Sequence, residues 1–249
     1  MRTIVIWASL AATQLAGQWL HYPTPGLPRT KDGKPNLTAP TPRTPDGKPD
    51  FSGFWQAPNG RQLANLAAGG VEVPMLPWAA KLFQERQENH GKDSVTSFCM
   101  PHSVVEFDAH FTPRKLLQLP GELVLLFEGY HRYRQIFTDG RPLPEVVEPA
   151  WFGYSVGKWT GNVLAVDTIG INERNWLDDG GHPHSDALHL VERFQRPDVG
   201  HMQLELTIDD PKTYTRPWTV QIPWIYIPDT ELMDWVCENN KDREHMVGK

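Results

Sequence analysis

The segment HMQLELTID, His201–Asp209, alternates without a break: Met202, Leu204, Leu206 and Ile208 are apolar, and Gln203, Glu205 and Thr207 between them are polar. A period of two belongs to a pleated strand that keeps one face in a core and the other in water. Related runs recur through the second half of the chain, spaced by turn chemistry. KLLQLPGELVLLFEGYHRYRQIF holds two strand-like runs before Asp139-Gly140, while WFGYSVGKW and NVLAVDTIGI flank Thr160-Gly161. LHLVERFQR leads through Pro197–Gly200 into HMQLELTID, and RPWTVQIPWIYI ends the series, its prolines assigning it to an edge or a bulge. With FSGFW, Phe51–Trp55, as the opening strand the count is about eight. That predicts an all-β fold, a closed antiparallel barrel or strongly curled sheet, because no helices alternate with the strands as a parallel sheet requires.

Two short peripheral helices are expected. In PWAAKLFQERQEN, Pro77 suits a first turn and Trp78, Ala79, Leu82 and Phe83 share a face. In DTELMDWVCENN, Asp229 or Thr230 can cap a C-terminal helix with Leu232, Trp235 and Val236 on its apolar side. Ahead of the barrel, residues 18–50 read as an extended Pro/Gly-rich arm, in which TKDGKPNLT (Thr30–Thr38) is echoed by TPDGKPDFS (Thr44–Ser52), each with an Asp-Gly turn. Residues 51–249 then form one barrel domain.

Residues 1–17 have the three parts of a secretory signal peptide: Arg2, the apolar run Ile4–Ala12, and small residues at Ala16-Gly17. A retained anchor is the alternative. The reading places the protein in the periplasm or outside the cell, with no integral membrane span after cleavage. Cys99 and Cys237 then suit a disulfide, with two buried thiols as the alternative. A net charge of −6 without a Lys/Arg cluster argues against a nucleic-acid partner. The oligomeric state is left open.

The stretch DDGGHPHSDALHLVERF, Asp178–Phe194, gathers His182, His184 and His189. Three imidazoles with Asp186 or Glu192 could hold a divalent metal, although no motif requires a cofactor. Strand parity divides the set. Leu188, Leu190, Glu192 and Phe194 share one face, and His189, Val191 and Arg193 the other, so His189 and Glu192 cannot serve one ion. A His/carboxylate acid–base set remains, drawn from His184, His189, Asp186 and Glu192, with His184 and His189 expected at a barrel mouth. In FEGYHRYRQIF, the same parity puts Glu128, Tyr130, Arg132 and Arg134 on one face. That face is either solvated or the wall of a cationic, aromatic pocket formed by Arg132, Tyr133, Arg134, Tyr154, Trp159 and Arg193. Asp167, between Val166 and Thr168, needs a partner if buried, and Arg132, Arg134 or Arg193 could supply it. Gly153-x-Ser155-x-Gly157 lies within a strand, not on a strand-to-helix turn, so it is no nucleophile elbow.

Five segments, PDFSGFW, FTDGRPLP, GYSVGKWTGNVLAVDT, PHSDALHLVERF and TIDDPKTYTRPWT, together resemble an uncharacterised family of exported bacterial proteins and cover most of residues 49 to 220. A second resemblance, carried by Gly53-x-Trp55, is to lipocalin-like (calycin) barrels. It implies an eight-stranded antiparallel barrel with a small-molecule ligand, although a helix-bearing segment stands where the first loop and second strand would follow. Three functional readings result: a barrel binding a small, partly aromatic or anionic ligand; an enzyme using the His/carboxylate set for elimination, isomerisation or hydrolysis of a small molecule or sugar; and a surface interaction module using the arm.

Overall fold

The computed structural model describes residues 22–233 and Trp235. Its strands are β1 Gly53–Gln56, β2 Arg114–Leu119, β3 Glu122–Phe127, β4 Arg132–Phe137, β5 Tyr154–Thr160, β6 Val163–Ile169, β7 His189–Gln195, β8 His201–Asp209 and β9 Trp218–Tyr226. They close in chain order into one barrel. The fold is all-β as expected, but it has nine strands, one more than the pattern suggested. The extra strand comes from KLLQLPGELVLLFEGYHRYRQIF, which turns twice. Pro120-Gly121 separates β2 from β3, and Glu128–His131 separates β3 from β4, pairing Phe127 with Arg132. The second turn was hidden because Tyr130 (φ 62) and His131 (φ 48) adopt left-handed backbone that neither residue type advertises.

An odd number of strands cannot close as an all-antiparallel meander, since the first and last would then run the same way. The barrel resolves this with one parallel pair, β4–β5, and closes antiparallel between β9 and β1. The parallel pair requires a crossover, residues 138–153, that returns the chain to the other end of the barrel. The β4–β5 ladder is short, with Ile136 opposite Ser155 and Phe137 opposite Val156. With the β9–β1 pairing, which also has two paired positions, it is one of the two shortest seams in the wall. β9 pairs with β1 only at Ile225 and Tyr226, so from Trp218 to Pro223 it runs as an edge on that side, where a missing N–H is harmless.

Inward positions follow the period of two. Leu125, Val166, Leu204, Leu206, Ile222 and Trp224 are fully buried and pack with Trp55 and Phe194 to fill the interior. One end of the barrel is covered by the insertion between β1 and β2, which holds α1 Arg61–Ala64, α2 Pro77–Glu88 and α3 Val104–Ala109, together with the loop from residue 170 to 188. α2 matches the expected helix, although Trp78 is exposed and donates to the Lys212 carbonyl instead of joining the buried Ala79. α3 was not anticipated. Every residue of it is buried, and a capping box between Ser103 and Glu106 starts it.

The arm lies at the opposite end. Its two echoed segments form the same turn: Arg29 Nη1 donates to Gly33 O at 3.0 Å, and Arg43 Nη1 to Gly47 O at 2.9 Å. Arg43 also reaches Asn162 in the β5–β6 turn. No C-terminal helix begins at Asp229 or Thr230. Asp229 (φ 55) instead accepts from Thr24 N at 2.7 Å and pairs with Arg29, and residues 230–233 are irregular. Apart from Trp235, the rest of that segment, the leader at 1–17 and Cys237 lie outside the described residues. Among the described residues, no helix is long and apolar enough to cross a membrane.

Candidate functional site

A polar belt crosses the apolar interior on four neighbouring strands. Arg134 from β4, Ser155 from β5, Thr168 from β6 and Glu192 from β7 all point inward and are buried. Arg134 Nη1 donates to Glu192 Oε1 at 2.7 Å, and Nη2 donates to Glu192 Oε2 and to Thr168 Oγ1. Nε and Nη2 both reach Ser155 Oγ, at 3.2 and 3.1 Å. A bidentate Arg–carboxylate pair satisfied on all sides is the arrangement in which a buried ion pair is tolerated. The Arg134–Ser155 bonds cross the short β4–β5 seam, so side chains hold the wall where the backbone ladder is brief.

Asp108, the fifth residue of α3, enters this belt from above. Its Oδ2 lies 3.9 Å from Arg134 Nη1, and its two oxygens find no donor among the described residues. Burial, then the adjacent Glu192 carboxylate, push the Asp108 carboxyl well above the ordinary range. The Asp108 carbonyl accepts from Arg114 Nη1 at 2.9 Å and from Trp224 Nε1 at 2.7 Å, which seats α3 in the barrel end.

Outside the seam lies a groove of about 380 Å³ that gathers Arg132, Tyr133, Trp151, Phe152 and Tyr154, with Arg134 and Ser155 at its floor. Phe152 is anchored on Phe107 and Phe127, at 5.4 and 5.7 Å between ring centroids, and Tyr154 accepts from Arg141 at 3.1 Å. Four of the six residues expected in a ligand pocket are therefore together, but on the outer side of the wall and not in the lumen. The parity assigned to Glu128, Tyr130, Arg132 and Arg134 does not hold, because Glu128–His131 is a turn. Arg132 is exposed and Arg134 is buried. Trp159 lies elsewhere, in a cavity of about 320 Å³ at the arm end with Lys48, Gln118 and Leu123. Arg193 points outward beside Glu205 at 3.7 Å.

The histidines of Asp178–Phe194 do not converge. His182 Nδ1 bonds to Asp178 Oδ2 at 2.6 Å, and its ring stacks on Phe83. His184 is buried with Nε2 2.9 Å from Asn175 Oδ1, and burial pushes its pKa down. His189 faces out from β7 and pairs with Asp167 at 2.9 Å, which gives Asp167 a histidine partner in place of the expected arginine. Asp186 is exposed and pairs with Lys212. The expected metal trio and the His184–His189 encounter are therefore corrected: each imidazole has a separate local partner. Glu192 belongs to the belt.

Two aspartates organise the loop instead. Asp178 is fully buried and also accepts from Leu66 N, Gly181 N and His182 N, while Asp210 accepts from Ser185 N, Ser185 Oγ and Thr213 Oγ1. By clamping the backbone at Asp178, the loop delivers the next residue, Asp179, to α3. There His102, Glu106 and Asp179 each offer one ligand atom, all within 4.8 Å of one another. His102 Nδ1 is 3.3 Å from Glu106 Oε1, outside hydrogen-bond geometry, and has no hydrogen-bond partner among the described residues. Asp179 is exposed as a residue, but partial desolvation of its carboxyl, then Glu106, raise it to about 6. Tyr130, on the left-handed turn, lays its ring edge-on to His102 at 5.0 Å. Sequence reading passed over this cluster, since only a His-Ser-x-x-Glu cap hints at it and its third member lies far along the chain. Comparison with known proteins adds no relative: no protein-family model matches the chain, and no curated protein matches it either.

Proposed function

We propose that this is an exported barrel that binds a small, planar, anionic ligand, such as an aromatic carboxylate or phenolate, in the groove over the β4–β5 seam. One observation carries the reading: Tyr133, Trp151, Phe152 and Tyr154 converge there beside the exposed Arg132. Aromatic walls supply area and stacking, and a half-solvated guanidinium supplies orientation for a carboxylate. Arg134 supports the floor and does not bind the ligand directly, because its donors are already taken by Glu192, Ser155 and Thr168. The resemblance of Gly53-x-Trp55 to the opening strand of lipocalin-like barrels favours a binding role, and Trp55 is buried in the core. Export rests on the leader-like residues 1–17, and a Cys99–Cys237 disulfide would suit that compartment.

The test is a panel of aromatic carboxylates and phenolates, read by thermal shift and by quenching of Trp fluorescence. Binding is expected to weaken at least tenfold in Trp151→Ala and in Arg132→Ala, on the usual scale of a buried contact or a charge-assisted bond. Trp159→Ala, at the arm end, is expected to leave it unchanged. Loss of binding in Trp159→Ala with retention in Trp151→Ala would move the site to the other cavity and end this reading.

A further inference from the structure

We propose that His102, Glu106 and Asp179 form a divalent-metal site at the helix-capped end of the barrel, with an open coordination position facing solvent. The donor set is one imidazole nitrogen and two carboxylate oxygens, which suits Zn²⁺, Mn²⁺ or Co²⁺. Three features argue for a site over an ordinary polar cluster. His102 is 7 % exposed, and its Nδ1 has no hydrogen-bond partner among the described residues, although Glu106 Oε1 lies 3.3 Å away. A buried ring nitrogen whose nearest carboxylate oxygen, Glu106 Oε1 at 3.3 Å, lies outside hydrogen-bond geometry is unusual, and a metal ion between them would satisfy it. Glu106 is held by the N-cap backbone: Oε2 accepts from Ser103 N at 2.6 Å, which leaves Oε1 toward His102. Asp179 is exposed, so it provides both an entry path and a movable third ligand.

The ligand atoms spread to 4.8 Å, wider than the roughly 3.3 Å between tetrahedral ligands of Zn²⁺. Glu106 is fixed by the capping box, so closure falls to Asp179, whose backbone N–H donates to Leu63 O at 2.8 Å and which is exposed. Three protein ligands with the fourth position open is the form of site that presents a metal-bound water. The inference is independent of the seam groove: failure of either leaves the other standing.

The experiment uses the full chain, stripped with chelator and dialysed, then titrated with Zn²⁺, Mn²⁺ and Co²⁺ by calorimetry and thermal shift. One ion per chain is expected, with a visible Co²⁺ absorption of a low-coordinate N/O site. Asp179→Asn, a change at an exposed side chain, and Glu106→Gln, which keeps the cap acceptor, are each expected to weaken binding by roughly a hundredfold. His201→Ala, at the exposed His201–Asp198 pair, controls for surface binding and should change nothing. Absence of saturable binding, or binding equal in the wild type, Asp179→Asn and Glu106→Gln, would overturn the proposal.

Discussion

Two charged clusters meet α3, and they differ in one respect. In the interior belt, Arg134 places its donors on Glu192, Ser155 and Thr168. In the cluster above it, His102 Nδ1 is left without a hydrogen bond among the described residues, and Glu106 and Asp179 crowd each other. The Arg134–Glu192 pair is complete and staples a short seam; Asp108 beside it also lacks donors, but its carboxyl is raised and joins no set of three ligand atoms among the described residues. The second is incomplete, and incompleteness at a buried group marks a place where something else binds. Neither burial nor charge separates the two. The gathering of three ligand atoms at His102, Glu106 and Asp179 does.

The largest effect is expected from breaking the belt. Glu192→Ala leaves Arg134 buried without its carboxylate and should cost about 3–5 kcal/mol in chemical denaturation. The paired change Arg134→Met with Glu192→Leu should recover much of that loss. If Glu192→Ala costs less than about 1 kcal/mol, the belt is not structural and the contrast collapses. Next is Asp178→Ala, which strips a fully buried acceptor from Leu66 N, Gly181 N, His182 N and His182 Nδ1. A loss of about 2–3 kcal/mol is expected, together with loss of any metal response, because Asp179 is then no longer presented.

Asp108 gives a pH-dependent test of the same contrast. Its carboxyl is raised in the folded state, so the native protein holds this proton more tightly than the unfolded chain does. Its stabilisation is therefore complete below the unfolded value of about 3.9 and declines as pH rises toward the folded value, by up to about 1.4 kcal/mol per unit. Asp108→Asn should remove that decline: its Tm relative to wild type should improve as pH rises above about 4. Parallel Tm profiles would show that Asp108 does not carry the charge cost. The smallest stability effect is expected at His102→Gln, within about 1 kcal/mol, since the imidazole nitrogen makes no bond to lose. A large loss there would mean that His102 is structural after all.

Much of the barrel was legible from alternation. The parity that joined Leu190, Glu192 and Phe194 and separated His189 is the parity of β7, because a pleat fixes sidedness locally. The turns at Thr160-Gly161 and Pro197–Gly200 were legible for the same local reason, as was α2 from its proline and its face. The turn at Glu128–His131 was not, since its left-handed residues are Tyr130 and His131, held by tertiary packing and not by glycine.

The site was legible only in fragments. Arg132, Tyr133, Arg134 and Tyr154 could be grouped from composition and period, but not which of them was buried or which side of the wall they lined. Alternation, turn chemistry and caps are properties of a few adjacent residues, so the sequence alone determined strands, hairpins and the faces of each strand. The parallel seam, the Arg134–Glu192 pair across four strands, and the meeting of Asp179 with His102 and Glu106 join residues far apart in the chain. Only barrel closure and the loop clamp at Asp178 bring them together, and those depend on the whole fold.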